Sequence, residues 1–261
     1  MEIRSSCQPA PDRQPPAVNE DLVLTGPDFA VVFDGATPFP GIDSGCRHTV
    51  AWLVGRLARY VAPPLLTAST APLADVLAES IAAVGAEHTH TCDLTNRDSP
   101  SSTVAMVRVR PDCVEHLVLA DSPVVYRAPE HAVTVHSDDR LEQLPERTVE
   151  SVRRLRNAPD GFWVASTDPS AAYEAVTGAT DRGEVAAIGV LSDGASRYAE
   201  HYGRSWDDLM TVLTTEGPAA LIRRVRAYDE AAETIRWKRY DDATAVVLYD
   251  SGRYDGNPGG R

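Results

Sequence analysis

Four short apolar segments in the middle of the chain constrain the fold more than any other feature of the sequence. They span residues 104–109, 114–120, 124–126 and 132–135, and Pro111-Asp112, Ser122-Pro123 and Pro129-Glu130 separate them. Short apolar runs broken by Pro, Asp and Ser predict a meander of antiparallel strands. Helical periodicity is found before and after this meander rather than alternating with it. We therefore predict an α+β fold rather than a parallel doubly wound sheet.

The remaining elements follow from the same periodicities. Helices are predicted over residues 43–60, 72–87, 145–157, 169–176, 195–203, 205–215 and 218–232, and strands over residues 22–25, 29–34, 162–166, 185–192 and 243–249. Pro63-Pro64 is expected to end the first helix, because proline lacks the N–H that a helix interior needs. Residues 1–18, which contain four prolines, are expected to be an extended lead-in. Residues 19–250 would form one domain, and residues 251–261 a flexible tail.

Three of the predicted strands carry an acidic residue at one end. The apolar run 29–33 ends in Asp34-Gly35, the run 188–191 leads into Asp193-Gly194, and Asp241 opens the run 243–248. Carboxylate oxygens are the ligands preferred by Mg²⁺ and Mn²⁺. Each Asp-Gly pair alone is more often an ordinary turn. As a set, they lead to the hypothesis that Asp34, Asp193 and Asp241 meet in space and bind divalent metal.

An ordered series of short motifs resembles the metal-dependent protein phosphatase family, the PPM or type 2C phosphatases. Residues 19–249 carry, in the family's order, Asn19-Glu20-Asp21, Val32-Phe33-Asp34-Gly35, Ser101-Ser102-Thr103, Leu119-Ala120-Asp121-Ser122, Leu191-Ser192-Asp193-Gly194 and Asp241-Asp242-Ala243-Thr244. The chain looks like a divergent, bacterial-type member. The resemblance implies a four-layer α-β-β-α sandwich, in which two antiparallel sheets are flanked by helices and hold two metal ions at one end.

The resemblance also implies a role for each acidic residue. Asp34 would bridge two Mg²⁺ or Mn²⁺ ions, and Glu20 with the Gly35 carbonyl would bind one of them. Asp193 and Asp241 would bind the other, and Asp121 matches a third, weaker metal site. Catalysis would use a metal-activated water held through Asp34 and Asp193, with no protein nucleophile.

The function implied is hydrolysis of phosphoserine or phosphothreonine in proteins. Two alternatives stay open: a phosphatase for a small phosphorylated metabolite, and a non-catalytic binding or regulatory module on the same fold.

The chain departs from the family pattern where substrate would bind. Ala36 stands at the position of the general acid proposed for eukaryotic members, and Pro16 stands where family members have an arginine that binds phosphate. We expect Arg13, Arg47 or His48 to supply the missing phosphate contact, because a guanidinium pairs with phosphate in bidentate fashion.

The segment 140–182 corresponds to the variable flap of the family. We expect it to influence specificity, with Arg153, Arg154 and Arg156 as candidate phosphate attractors; an ordinary solvated surface is the alternative.

The chain also contains soft metal ligands, namely cysteines and histidines. No two of the four cysteines form a Cys-x-x-Cys pair, so a zinc knuckle is not expected, and the thiols would be reduced in the cytoplasm. The run from His88 to Cys92 would place His88, His90 and Cys92 on one face of a strand as a zinc fragment. The sequence reveals no fourth ligand, so a plain helix-to-strand connection is the favoured interpretation.

Charge and hydropathy limit the partners. The 261 residues carry a formal net charge of −13, which opposes binding to nucleic acid or to an anionic membrane. No apolar run is long enough to span a bilayer, and the N-terminus has no apolar signal core. We expect a cytoplasmic protein whose partner is a phosphorylated protein or a small phosphoester, and the oligomeric state stays open.

Overall fold

A computed structural model describes residues 1–13, 18–36, 39–233 and 238–250 of the chain. Within these ranges, ten strands form two sheets: β1 Glu2–Gln8, β2 Leu22–Gly26, β3 Phe29–Ala36, β4 Ser101–Val109, β5 Cys113–Leu119, β6 Val124–Arg127, β7 Val133–His136, β8 Val176–Asp181, β9 Ala187–Leu191 and β10 Ala243–Tyr249. One sheet has the order β1-β10-β9-β6-β7 and the other β2-β3-β4-β5-β8, and all the pairings are antiparallel.

The helices lie outside the two sheets. They are α1 Val50–Leu66, α2 Leu73–His88, α3 Val149–Leu155, α4 Asp193–Glu200, α5 Trp206–Thr215 and α6 Pro218–Ala231, and Pro169–Glu174 and Arg182–Glu184 form short 3-10 helices. Helices α1 and α2 share a core with the β2–β8 sheet, whereas α4, α5 and α6 share one with the β1–β7 sheet. A third core lies between the sheets. This is the predicted four-layer α-β-β-α sandwich, and the fold class is confirmed.

Strand β3 explains why a central strand of this fold is apolar throughout. Phe29, Val31 and Phe33 pack among the helix-side residues, while Ala30 and Val32 pack between the two sheets. Alternate side chains of a strand point to opposite faces, and both faces of β3 are covered. The apolar pattern stops at Asp34, where the strand reaches the end of the sandwich.

Helix α1 corrects two predictions. It begins at Val50, where the Thr49 hydroxyl accepts the Trp52 amide at 3.2 Å, rather than at residue 43 or 44. It also continues through Pro63-Pro64 to Leu66. Both prolines lie in the last turn, the Pro63 carbonyl accepts the Thr67 amide at 3.0 Å, and burial of Leu65 in the core favours the extra turn.

The N-terminal segment and the segment 162–181 also differ from prediction. Glu2–Gln8 is an edge strand paired with β10, so the predicted lead-in over residues 1–18 includes part of the sheet. The predicted strand 162–166 consists of isolated bridges only, and Val176–Asp181 pairs with β5 as a strand that was not predicted. The predicted tail 251–261 lies outside the described residues. In the described part of the chain, no helix is long and apolar enough to cross a membrane.

Candidate metal centre

Five aspartates from five segments converge at one end of the sandwich; we call them the acidic centre. Asp34 lies near the end of β3, Asp121 follows β5, Asp193 begins α4, Asp241 precedes β10, and Asp21 precedes β2. Asp34 is influenced electrostatically by each of the other four. The sequence hypothesis that Asp34, Asp193 and Asp241 meet therefore agrees with the geometry.

The glycines that follow Asp34 and Asp193 permit this convergence. A Cβ at Gly35 would lie 2.6 Å from the Glu20 carbonyl oxygen, and one at Gly194 would lie 1.9 Å from the Asp242 carbonyl oxygen. Neighbouring backbone therefore approaches more closely than any side chain would allow. In this way the Asp-Gly sequence draws Glu20 to the end of β3, and the start of α4 to the start of β10.

The aspartates of the two sheets are linked directly. The Asp193 amide, in the first turn of α4, donates to Asp34 Oδ2 at 3.1 Å. A carboxylate near a helix N-terminus is favoured by the helix dipole. Asp193 Oδ1 is buried and has no hydrogen-bond partner among the described residues. A buried carboxylate oxygen without a partner is costly, so this atom requires a cation or water that the protein itself does not supply.

The electrostatics show an excess of negative charge. Burial, followed by the charge on Asp193 and Asp21, raises the pKa of Asp34 well above its usual value. Burial, lessened by a Thr244 hydrogen bond, raises the pKa of Asp21 to about 7. Burial and Asp193 raise the pKa of Asp241 to about 7, and burial also raises the pKa of Asp121. Like charges brought together out of water resist ionisation until a cation compensates them.

Protein cations compensate one side of the centre. Arg197 Nη2 donates to Asp241 Oδ2 at 3.0 Å, and Lys238 pairs with Asp241 Oδ1. Lys238 is the only lysine of the chain, and the sequence offered no reason to place it here. Asp34 and Asp193 have no ion pair to a basic residue in the described segments. The oxygen-only donor set around them fits Mg²⁺ or Mn²⁺.

Arg13, a predicted phosphate contact, is bound to acidic residues of the protein. Its Nε donates to Asp242 Oδ1 at 2.8 Å, its Nη1 to the Val18 carbonyl at 2.8 Å, and its Nη2 to Glu20 Oε2 at 2.9 Å. Asp242 Oδ2 also accepts the Glu20 amide at 2.7 Å. Arg13 therefore holds Glu20 beside the centre, and all three of its guanidinium nitrogens are engaged by the protein.

Arg47 and His48 lie away from the acidic centre. His48 contacts the sulfurs of Cys46 and Cys92 and stacks on Trp52, with ring centroids 4.0 Å apart. Arg47 is exposed, and neither residue lines the cavity at the centre. We therefore do not retain them as phosphate contacts. Pro16, where the family arginine would stand, lies outside the described residues.

An open cavity of about 630 Å³ adjoins the acidic centre. Asp121, Asp193 and Asp241 are among its lining residues, and the segment 137–152 contributes several others. The basic residues that line it are Arg147, Arg197, His201 and Lys238. Arg147 is exposed and forms no ion pair within the described ranges, whereas Arg197 and Lys238 bind Asp241.

The three arginines first proposed in the flap region are placed elsewhere. Arg153 forms a bidentate pair with Asp98, with distances of 2.8 and 2.5 Å, and the exposed Arg154 accepts a bond from Arg97 through its carbonyl. Arg156 does not line the cavity either. Arg147, which the sequence did not single out, is the flap arginine at the cavity.

Fold and site together define a two-sheet sandwich with a cluster of buried carboxylates at the edge of an open cavity. The family model for protein phosphatase 2C matches residues 18–226. The chain therefore belongs to the protein phosphatase 2C family, whose members are serine/threonine phosphatases. The match ends before Asp241, so the geometry, rather than the family model, places Asp241 at the centre.

Solved structures show the same fold at low sequence identity. PppA, a regulatory component of the type VI secretion system of Pseudomonas aeruginosa, is 18% identical with a TM-score of 0.57, over 94% of this chain and 96% of that chain. The catalytic domain of the phosphatase PstP in complex with two manganese ions is 16% identical, with a TM-score of 0.57 and the same coverage. Stp1 of Staphylococcus aureus is 13% identical with a TM-score of 0.58, over 96% of this chain and 95% of that chain. No curated protein sequence matches the chain.

Proposed function

We propose that this phosphatase removes phosphate from phosphoserine or phosphothreonine in proteins and requires Mg²⁺ or Mn²⁺. The observation that carries the proposal is the unpartnered, buried Asp193 Oδ1 beside Asp34, whose pKa burial and neighbouring aspartates raise well above its usual value. The PstP structure with two manganese ions supports it by analogy of fold.

The metal ligands would be the residues that the geometry brings together. Asp34 would serve both ions, Glu20 and the Gly35 carbonyl one of them, Asp193 and Asp241 the other, and Asp121 a third. When bound, divalent cations lower the pKa of a coordinated water and neutralise phosphoryl oxygens.

Arg147 is our candidate for the phosphate contact that the sequence lacks at Pro16. Arg147 is an exposed residue of the cavity wall, and its guanidinium can pair with two phosphoryl oxygens. Lys238, bound to Asp241, adds positive charge on the same cavity, where charge develops on the transferring group.

The leaving serine or threonine oxygen also needs a proton. Ala36 cannot donate one, and the cavity wall includes His201. We propose that His201 protonates the leaving alkoxide, because histidine is the side chain most often used for this purpose near neutral pH.

Hydrolysis of p-nitrophenyl phosphate and of a phosphothreonine peptide with Mn²⁺, with and without chelator, tests the function. We expect activity on both that chelator abolishes and that Asp34→Asn and Asp193→Asn each reduce by at least about 100-fold, as expected for loss of a metal-activated nucleophile. Asp160→Asn, at an exposed aspartate outside the cavity, is the matched control. Activity that survives chelator would contradict the metal mechanism. Turnover of free phosphoserine in preference to the peptide would favour a small-metabolite phosphatase.

A further inference from the structure

A second group of potential metal ligands lies outside the acidic centre; we call it the soft-donor cluster. Cys46 and His48 belong to the loop between β3 and α1, and Cys92 belongs to the connection between α2 and β4. The Cys46 sulfur lies 3.6 Å, and the Cys92 sulfur 3.4 Å, from the same atom, His48 Nδ1. The three donor atoms all lie within 4.8 Å of one another.

These separations are also those expected of ligands on one tetrahedral zinc ion. With Zn–S of about 2.3 Å and Zn–N of about 2.0–2.1 Å, two tetrahedral ligands place sulfur and nitrogen about 3.6 Å apart. As a hydrogen-bonding atom, His48 Nδ1 has one site, either a lone pair or a proton, and so bonds well to one thiol only. A metal ion between the three atoms accounts for both contacts.

A fourth ligand is available at the end of α2. His88 is 5% exposed, and its Nδ1 is buried with no hydrogen-bond partner among the described residues. Its ring centroid lies 5.5 Å from that of His48, close to the separation of about 5 Å that two imidazoles on one tetrahedral zinc require. His88 and Cys46 also line one small cavity. The His88 nitrogens lie outside the 4.8 Å group, so the ring must shift to complete the site.

We propose that Cys46, His48 and Cys92 bind a zinc ion and that His88 supplies the fourth ligand. The two negative charges of the thiolates balance the two positive charges of Zn²⁺, and the two imidazoles are neutral. The loaded site therefore carries no net charge. Loading releases the two thiol protons to solvent. Cys46, His48 and Cys92 are each half-buried, which leaves a path for the ion to enter.

The ion would join two segments that already touch through polar contacts. The Asp93 amide donates to the Gly45 carbonyl at 2.9 Å, and the Ser99 hydroxyl donates to the Ser44 carbonyl at 3.2 Å. The segment from Ser44 to His48 follows the Asp34-Gly35 end of β3. Zinc would therefore stabilise the loop that connects the acidic centre to α1, which is a structural role rather than a catalytic one.

The full-length protein tests the proposal by zinc stoichiometry and by cobalt substitution. We expect the Cys46→Ser/Cys92→Ser double variant to bind one zinc fewer than the wild type and to lose the thiolate-to-cobalt absorption of the Co²⁺-loaded protein. Cys113→Ser, at a cysteine on β5, and His90→Ala, at an exposed histidine beside the site, are the matched controls. The double variant Asp34→Asn/Asp193→Asn, which alters only the acidic centre, should keep the cobalt absorption. Failure of the phosphatase assignment can therefore be distinguished from failure of the zinc assignment.

Two further measurements complete the test. Zinc should raise the melting temperature of the wild type but not that of the double-cysteine variant, and His88→Ala should weaken zinc binding by at least about 10-fold, since even ligand-orienting residues contribute 10- to 100-fold. Equal zinc content and equal cobalt spectra in the wild type and the double-cysteine variant would overturn the site. So would a Cys46–Cys92 disulfide that persists, by intact mass, in freshly purified protein. Unchanged zinc affinity in His88→Ala would overturn the fourth ligand.

Discussion

Replacing Arg13 with alanine distinguishes a structural cation from a phosphate contact. The Arg13 side chain is 19% exposed and donates three hydrogen bonds, two of them to the carboxylates of Asp242 and Glu20. The Asp242 carboxylate is 2% exposed, so the variant would leave a buried charge with backbone donors alone. Removing one partner of a buried ion pair costs about 3–5 kcal/mol. Because Arg13 is partly exposed, we expect the lower figure, about 3 kcal/mol.

Urea unfolding followed by fluorescence measures this cost. A loss of about 3 kcal/mol corresponds to a fall in melting temperature of roughly 6–12 °C for a chain of this length. Arg224→Ala is the matched control, because Arg224 and Glu216 form a pair whose side chains are 44% and 48% exposed. We expect that control to change stability by less than about 0.5 kcal/mol.

A double-mutant cycle then assigns the effect to the pair. The double variant Arg13→Ala/Asp242→Asn should lose about 2 kcal/mol less free energy of unfolding than the two single variants lose together. The reason is that the double variant no longer buries an unpaired charge. At saturating Mn²⁺, which compensates any loosening of Glu20, inhibition by inorganic phosphate should be nearly unchanged in Arg13→Ala. The reasoning is refuted if Arg13→Ala is as stable as Arg224→Ala and instead weakens phosphate inhibition, the behaviour of a phosphate contact.

Three further predictions follow from the cavity and from the core between the sheets. Arg147→Ala should raise the KM for a phosphopeptide by about 10-fold, the equivalent of one lost charged hydrogen bond, whereas Arg154→Ala should leave it unchanged. His201→Gln should lower kcat for the phosphopeptide but not for p-nitrophenyl phosphate, whose leaving group needs no proton; equal losses on both would contradict a general acid. Burial, with a smaller effect of His136, lowers the pKa of His116 from 6.5 to about 4. Since the unfolded state takes up that proton first, the free energy of unfolding should fall by about 3 kcal/mol between pH 6.5 and pH 4, and His116→Asn should flatten the fall in an acid urea titration.

The local sequence pattern was sufficient to predict the strands and helices that form the interior of the fold. The central strands are predicted well because both of their faces are covered, which makes them continuously apolar and bounded by turn residues. Helix α2 is found within one residue of its predicted bounds for a similar reason, since one apolar stripe faces the core. Edge strands lack that signal: Val176–Asp181 carries no fully buried residue, and its pairing with β5 decides its conformation.

The acidic centre was predictable in part: Asp34, Asp193 and Asp241 each lie at the end of an apolar run, and two of these three are followed by a glycine. Its compensating groups were not, because they depend on contacts between distant residues. Arg13 and Asp242 are 229 residues apart, and nothing in the local sequence of either indicates the other. The soft-donor cluster was not predicted either, because it also depends on contacts between residues far apart in the sequence. The run from His88 to Cys92 was expected to be a plain helix-to-strand connection without a fourth ligand. It does lie at the end of α2, but there it meets Cys46 and His48 from another loop.

Manganese binding to the metal-free protein, measured by isothermal titration calorimetry, tests the acidic centre most directly because it requires no substrate. We predict at least two Mn²⁺ ions per chain in the wild type and in Asp160→Asn, and loss of at least one in both Asp34→Asn and Asp193→Asn. Repeating the titrations with the Cys46→Ser and Cys92→Ser substitutions also present ensures that Mn²⁺ bound at the soft-donor cluster is not counted. Equal Mn²⁺ stoichiometry and affinity in the wild type, Asp34→Asn and Asp193→Asn would contradict the account.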